Sequence, residues 1–258
     1  MNSIKKHIPN ILTLLNLLSG CVALIFLTTA LNADQCFQDA TQLDIRYKIN
    51  FGLAFWFVCL GIFFDFLDGL AARLLDVPTA LGKQLDSLAD MVTSGVVPGF
   101  AMFVMLSKSV GNELLPHFVP YFGFLITLGA CLRLAKFNID TKQTNYFIGL
   151  PTPANALCIM SLPLIVLHCD SFILYEFLIN PFVMLFISLM SFWMMNSRVA
   201  LFSLKLKKYA VQDMLPVIIL SILSVVMISF WQFSAVPVII ICYIVLSLIF
   251  KKQFVESE

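Results

Sequence analysis

Apolar residues run through this chain in blocks of roughly twenty, the length of one bilayer crossing, and polar residues gather in the short connections between them. The blocks fall at approximately 11–32, 50–70, 86–107, 115–135, 152–169, 172–194, 211–231 and 234–250. This pattern predicts eight spans, and the brief Asp170-Ser171 joint between the fifth and sixth leaves six or seven open. Over residues 1–16 the pattern changes: Asn10, Thr13 and Asn16 recur at three-residue spacing, which puts them on one face of a helix. Either this segment is an interfacial lead-in to the first span, or its polar face lines a substrate cavity.

Composition turns the pattern into a fold class. Of 258 residues, 60% are hydrophobic and 12% charged, and the mean hydropathy of +0.94 lies far outside the range of soluble domains. The expectation is an all-α, polytopic transmembrane helical bundle, a single membrane-embedded domain over 1–258 without repeats or a soluble extension. Lys5 and Lys6 precede the first block as they would in a signal peptide. No small-residue cleavage site follows promptly, and the apolar run continues through Leu31, so the segment reads as retained. A net charge of +1 points to no nucleic-acid partner. The cysteines, at 21, 36, 59, 131, 158, 169 and 242, have no metal-finger spacing, and only Cys36 and Cys169 fall in polar connections where a disulfide could close.

Basic residues give the orientation. Connections on the N-terminal side carry Lys5, Lys6, Arg73, Lys83, Arg133, Lys136, Lys142, Arg198, Lys205, Lys207, Lys208, Lys251 and Lys252, whereas the other side carries only Arg46, Lys48 and Lys108. Cytoplasmic connections collect positive charge, so both termini are expected in the cytosol.

Against this background the acidic residues stand out. Asp65, Asp68, Asp86 and Asp90 sit at the facing ends of the second and third blocks, in the string Asp65-x2-Asp68-Gly69-x2-Ala72-Arg73-x8-Gly82-x3-Asp86-x3-Asp90. Ionisable groups in membrane helices are costly to keep and mark functional sites. Spacings of three and four place each pair on one helical face, and Asp76-Val77-Pro78-Thr79 breaks the helix between them so that the pairs can meet. Carboxylates converging in a low-dielectric setting repel one another unless cations neutralise them. All-oxygen ligation favours Mg2+ or Mn2+, and four ligands suit two bridged ions. Gly69, Ala72 and Gly82 keep the helix surfaces low enough for a bulky ligand or for tight helix packing, as Gly95-x3-Gly99 also does. Arg73, two turns beyond Asp65, can bind phosphate oxygens bidentately.

This string, eight specified residues within 26 positions, resembles the signature of the CDP-alcohol phosphatidyltransferase family. Ile8-Pro9-Asn10, Gly82-Lys83-Gln84, Arg133-Leu134-Ala135-Lys136-Phe137-Asn138 and Gly149-Leu150-Pro151-Thr152-Pro153 resemble its membrane-embedded, serine-accepting branch. The resemblance implies transfer of the phosphatidyl group from CDP-diacylglycerol to the hydroxyl of L-serine, giving phosphatidylserine and CMP. It implies that Asp65, Asp68 and Asp86 hold one Mg2+ or Mn2+ ion, that Asp65, Asp86 and Asp90 surround a second, and that Asp90 is the general base. It further implies that Gly69, Arg73 and Thr79 contact the CDP-diacylglycerol headgroup, that Ala72 and Gly82 give it room, and that Asn10 and Thr13 lie close to the nucleotide. A six-helix core extended by two C-terminal helices, a homodimer, and a place in a bacterial inner membrane are implied as well.

The acceptor is the less determined half. Serine carries a carboxylate and an ammonium, so Arg133, Lys136 and Asn138, at one end of the fourth block, are the first candidates for its pocket; Arg133 and Lys136 also read as ordinary positive-inside flanking. Glycerol 3-phosphate, inositol and choline remain alternative acceptors. A transporter is a different class of reading, disfavoured because transport sites lie near mid-membrane, whereas these carboxylates cluster at one interface. His7, His117 and His168 form no pair at metal spacing.

Overall fold

A backbone that enters hydrocarbon has to satisfy its own hydrogen bonds, and the apolar blocks of this chain do so as helices. The computed structural model describes residues 2–33, 40–77, 79–109, 116–139, 146–168, 171–202 and 215–250. Ten α-helices follow in order among them: α1 (Asn2–Leu31), α2 (Ala40–Leu74), α3 (Ala80–Asp90), α4 (Val97–Ser109), α5 (Leu125–Ile139), α6 (Thr152–His168), α7 (Phe172–Ile179), α8 (Pro181–Asn196), α9 (Leu215–Trp231) and α10 (Ala235–Ile249). Short strands β1 (Tyr146–Ile148) and β2 (Ala200–Phe202) pair antiparallel, with Phe147 opposite Leu201. Cys36, Cys169 and Pro78, and with them the candidate disulfide, lie outside the described residues.

The helical bundle is as expected, with three local differences. The lead-in segment and the first span are one continuous helix, with Pro9 inside it. The block at 172–194 is bent by 65° between α7 and α8, where Asn180 caps α8 by accepting from Phe182 N and Pro181 starts the new helix. By length and apolarity the described helices give five crossings, His7–Leu31, Ile45–Leu74, Ala80–Ser109, Val119–Ile139 and Val217–Ile249, and a sixth if the bent pair counts as one. Hydrophobic blocks alone suggest eight because they count α6, which has only 17 residues, and divide Val217–Ile249 in two. That last stretch does break, at Gln232 with φ 46°, and α9 and α10 pack against each other.

The stretch Ala80–Ser109 is the central post, with 61% of its apolar 18-residue window buried inside the bundle, whereas Val217–Ile249, at 17% of its window, is peripheral. Around the post, Ala23, Leu27 and Ala30 of α1 pack with Ala54 and Val58 of α2 and Ile159 and Leu164 of α6. Large apolar side chains such as Trp56, Phe63, Ile222 and Phe230 face outward, the surface an integral membrane protein presents to lipid. Lys108 at the end of α4 donates to Leu31 O, 3.0 Å away. Between α2 and α3 the chain turns through Asp76, with φ 51°, and the Thr79 hydroxyl caps α3 by accepting from Gly82 N at 2.9 Å.

One device brings the helices close at the acidic end. Met91–Val96 between α3 and α4 is π-helical, a wide turn often found at functional sites. There the Val97 N–H reaches Val92 O, five residues back, the Thr93 hydroxyl donates to Asn16 O on α1 at 3.1 Å, and Thr127 on α5 donates to Gly95 O at 3.0 Å. Gly20 and Gly61 admit Thr93: a Cβ on Gly61 would lie 2.7 Å from Thr93 Cγ2 and 2.9 Å from Asn16 Oδ1.

Gly61→Val is therefore expected to destabilise the bundle by about 1–3 kcal/mol through overpacking, read as a lower melting temperature of the detergent-purified protein. Gly52→Ala on the same helix, where nothing lies within 4 Å, should not lower it. Equal melting temperatures for Gly61→Val and the unmodified protein would refute the close approach.

Candidate active site

Asp65 and Asp68 stand one turn apart near the end of α2, and Asp86 stands on α3 as it returns from the Asp76 turn. Each of the three offers a carboxylate oxygen within 4.8 Å of the others. Asp68 is buried, at 6% exposure, and Asp65 and Asp86 lie within hydrogen-bonding reach of each other. Asp86 Oδ1 is buried and has no hydrogen-bond partner, and a buried acceptor in that state is costly. An oxygen-rich, acidic, partly orphaned set of this kind fits a divalent cation with hard-ligand preference. Asp90 lies just outside the three: its charge reaches Asp65 and Asp86, but its oxygen accepts from Asn16 Nδ2 at 3.1 Å.

Helix α1 supplies the third wall. Thr13 Oγ1 lies 2.5 Å from Asp68 Oδ2 and 3.0 Å from Pro9 O. Asn10 reaches the start of α3, where a Cβ on Gly82 would come within 3.3 Å of Asn10 Oδ1. The polar face formed by Asn10, Thr13 and Asn16 thus meets the acidic end of α2 and α3. Asn16 is fully buried and was not singled out as a site residue from the sequence. Its signal was there, as the third member of the Asn10-Thr13-Asn16 series, but nothing in the spacing says that its partner is Asp90.

On the other flank Gly69 leaves open space, with nothing within 4 Å of a Cβ built there. Exposed Arg73 arches over it, its Nε donating to Gly69 O at 2.9 Å. Thr79 uses a lone pair to cap α3 and keeps its hydroxyl proton for a further acceptor. Ala72 is half-buried between them.

The acceptor candidates on α5 separate. Arg133, buried at 8% exposure, and Lys136 line a cavity of about 230 Å³ with Phe137, Ile148, Met195, Asn196 and Ser197. Lys136 Nζ donates to Asn196 Oδ1 at 3.0 Å. Arg133 Nε is buried without a partner, and the guanidinium is near enough to Asp90 for their charges to interact. Asn138 is held elsewhere: its side chain donates to Ser87 Oγ at 2.8 Å and its carbonyl accepts from Lys83 Nζ at 2.9 Å, so it ties α5 to α3. Asn196 and Ser197 were not anticipated, because they reach this cavity only through the packing of α8 on α5.

A family model described as CDP-alcohol phosphatidyltransferase matches residues 6–194. The chain is similar to a CDP-diacylglycerol–serine O-phosphatidyltransferase of Bacillus subtilis, with 40% identity over 117 residues covering 44% of this chain and 61% of the relative. It is similar to proteins of the same description from Saccharomyces cerevisiae, at 33% over 118 residues covering 42% and 40%, and Methanocaldococcus jannaschii, at 32% over 137 residues covering 53% and 59%. The matched region thus spans between 40% and 61% of the length of these relatives.

The carboxylate group makes a direct claim about metal. Titrating the purified protein with Mn2+ and following free ion by electron paramagnetic resonance should show binding that Asp86→Asn and Asp68→Asn weaken by more than the ~10–100-fold typical of losing an outer-shell partner. Asp76→Asn, in the turn outside the group, should bind like the parent protein. Unaltered Mn2+ affinity in both Asp86→Asn and Asp68→Asn would remove the centre.

Proposed function

Because the chain belongs to the CDP-alcohol phosphatidyltransferase family, we propose that it transfers the phosphatidyl group of CDP-diacylglycerol to the hydroxyl of L-serine, releasing CMP and phosphatidylserine. The observation that carries the reading is the convergence of the Asp65, Asp68 and Asp86 carboxylates within 4.8 Å, beside Asp90 and under the polar face of α1. Serine as acceptor is supported by the similar proteins, which are described as serine O-phosphatidyltransferases, and by a cavity bordered by Arg133 and Lys136, the former close enough to Asp90 for their charges to interact.

On this reading Asp65, Asp68 and Asp86 would hold one divalent cation, Mg2+ or Mn2+, and Asp65, Asp86 and Asp90 a second, and these would supply positive charge to neutralise the donor diphosphate and the departing CMP. Arg73 and Thr79 hold phosphate oxygens over the open surface of Gly69, and Asn10 and Thr13 border the nucleotide. The serine oxygen attacks the phosphorus that bears the diacylglycerol, the bond from that phosphorus to the CMP oxygen breaks, and Asp90 takes the hydroxyl proton. Asn16 keeps one Asp90 oxygen occupied, so that the other is presented to the acceptor. Arg133 pairs with the serine carboxylate in the cavity it shares with Lys136, and holding both reactants in register supplies much of the acceleration. The concentration of Lys and Arg at the acidic end of the bundle supports a cytosolic active site.

Reconstituted protein supplied with CDP-diacylglycerol and metal should release CMP with L-serine and not with glycerol 3-phosphate, inositol or choline; a product with one of these in place of serine would transfer the assignment to that alcohol. Arg133→Gln should raise the serine KM about 10–100-fold, the range of a hydrogen bond to a charged group, and leave the donor KM nearly unchanged. Within the same assay Asp90→Asn should lower kcat by ~10²–10⁴-fold, the usual contribution of a positioned base, and Asn16→Leu by ~10–100-fold. Full turnover by Asp90→Asn would show that the base is another group.

A further inference from the structure

Cys242, Tyr243 and Ser247 are the only residues of α10 whose side chains are not aliphatic. Tyr243 and Ser247 stand four apart on one face, and with Ala235 they are the residues this helix buries, while Ile241, Val245 and Leu248 face out. A hydroxyl taken into an apolar setting needs a partner. Ser247 finds one on its own helix, donating to Tyr243 O at 2.8 Å. The phenol of Tyr243, at 5% exposure, lies beside the Arg133 guanidinium. An edge helix with an outer face made for lipid thus turns its one aromatic hydroxyl toward the buried cation of the acceptor cavity.

The packing of α10 leads to the same cavity. The helix rests on α6 and on β2, and β2 pairs with β1, where Ile148 stands opposite Ala200 and lines the cavity that Arg133 and Lys136 share. Arg133 needs a neighbour there. A guanidinium has five N–H donors and accepts nothing, this one is buried, and its Nε has no partner. Lys136 is already engaged by Asn196, and Asp90 has one oxygen taken by Asn16. A phenol oxygen is a neutral acceptor, so it can orient the guanidinium without cancelling its charge. A carboxylate in the same place would neutralise the cation before an anionic ligand could meet it.

We propose that Tyr243 is a positioning residue of the acceptor site: its phenol oxygen accepts from the Arg133 guanidinium and holds that cation toward the cavity, where it meets the carboxylate of the acceptor amino acid. The C-terminal hairpin, which lies beyond the residues 6–194 matched by the family, thereby completes a site built mainly from the matched helices. The inference rests on the reading of the protein as a transferase with a carboxylate-bearing acceptor held by Arg133. The inward turn of the polar face of α10 carries it, because hydrocarbon packing alone gives an aliphatic edge helix no reason to bury a tyrosine against a cation.

Tyr243→Phe keeps the ring and removes one oxygen. In the full-length protein it should raise the serine KM about 10-fold, the scale of a lost hydrogen bond to a charged group, and leave kcat and the KM for CDP-diacylglycerol nearly unchanged. In Arg133→Gln the same change should have no further effect on the serine KM, since residues acting as one unit are not additive. A serine KM within about twofold of the parent, or effects that multiply in the double variant, overturns the proposal. So does a rise in the donor KM in place of the serine KM, which would put Tyr243 to work on the side where it borders a cavity of about 730 Å³ with Arg73. Ser247→Ala, on the same buried face, should leave both KM values as they are; an equal rise there would trace the effect to docking of the hairpin and overturn the proposal as well. Should Tyr243→Phe fold poorly, 3-fluorotyrosine at position 243 retains both ring and hydroxyl. Its fluorine resonance should move when L-serine is added and stay still in Arg133→Gln; a resonance that ignores L-serine overturns the proposal. If the unmodified protein releases no CMP with L-serine, the transferase reading itself fails, an outcome distinct from all of these.

Discussion

Acidic groups carried into a hydrocarbon-bounded bundle must be compensated where they stand, and most of the architecture at one end of this protein follows from that requirement. Two of the compensating donors come from α1: Thr13 beside Asp68 and Asn16 beside Asp90. The remaining demand, an orphaned Asp86 oxygen among three converging carboxylates, is what a divalent cation would meet. An apolar replacement would be cheaper for folding alone, so stability does not account for the cluster and a cation site does.

Packing and chemistry are joined through the π-helical turn after Asp90. The wide turn aims Thr93 at Asn16 O while Gly95 faces Thr127, so one irregularity docks the central post against α1 and α5 together. Gly20 and Gly61 make room for it. The asparagine that holds Asp90 is therefore itself held by the backbone contact that closes the bundle, and a defect in helix packing there would also be a defect at the proposed base.

Arg133 connects the two sides of the site. It borders the small polar cavity with Lys136 and Asn196, its charge reaches Asp90, and behind it Tyr243 anchors the C-terminal hairpin. On the proposed reading the acceptor pocket and the base thus share one buried cation, which also lies beside Tyr243 of the C-terminal hairpin. This gives the two helices outside the family match a physical connection to the reacting centre.

Hydrophobic blocks, basic asymmetry and the spacing of Asp65, Asp68, Asp86 and Asp90 were enough to determine a helical membrane protein with an acidic centre between its second and third blocks, because burial in lipid permits few backbone solutions and charge there is rarely incidental. Local spacing also put Asn10, Thr13 and Asn16 on one face and a break at Asp76. What lay beyond sequence were relations between helices that no local period encodes: that Asn16 meets Asp90, that Asn138 turns toward Ser87 while Asn196 takes its place near Arg133, that the block at 172–194 bends, and that α10 packs back on α6. These relations depend on the angles and separations at which side chains from distant segments pack, and only the assembled bundle sets them.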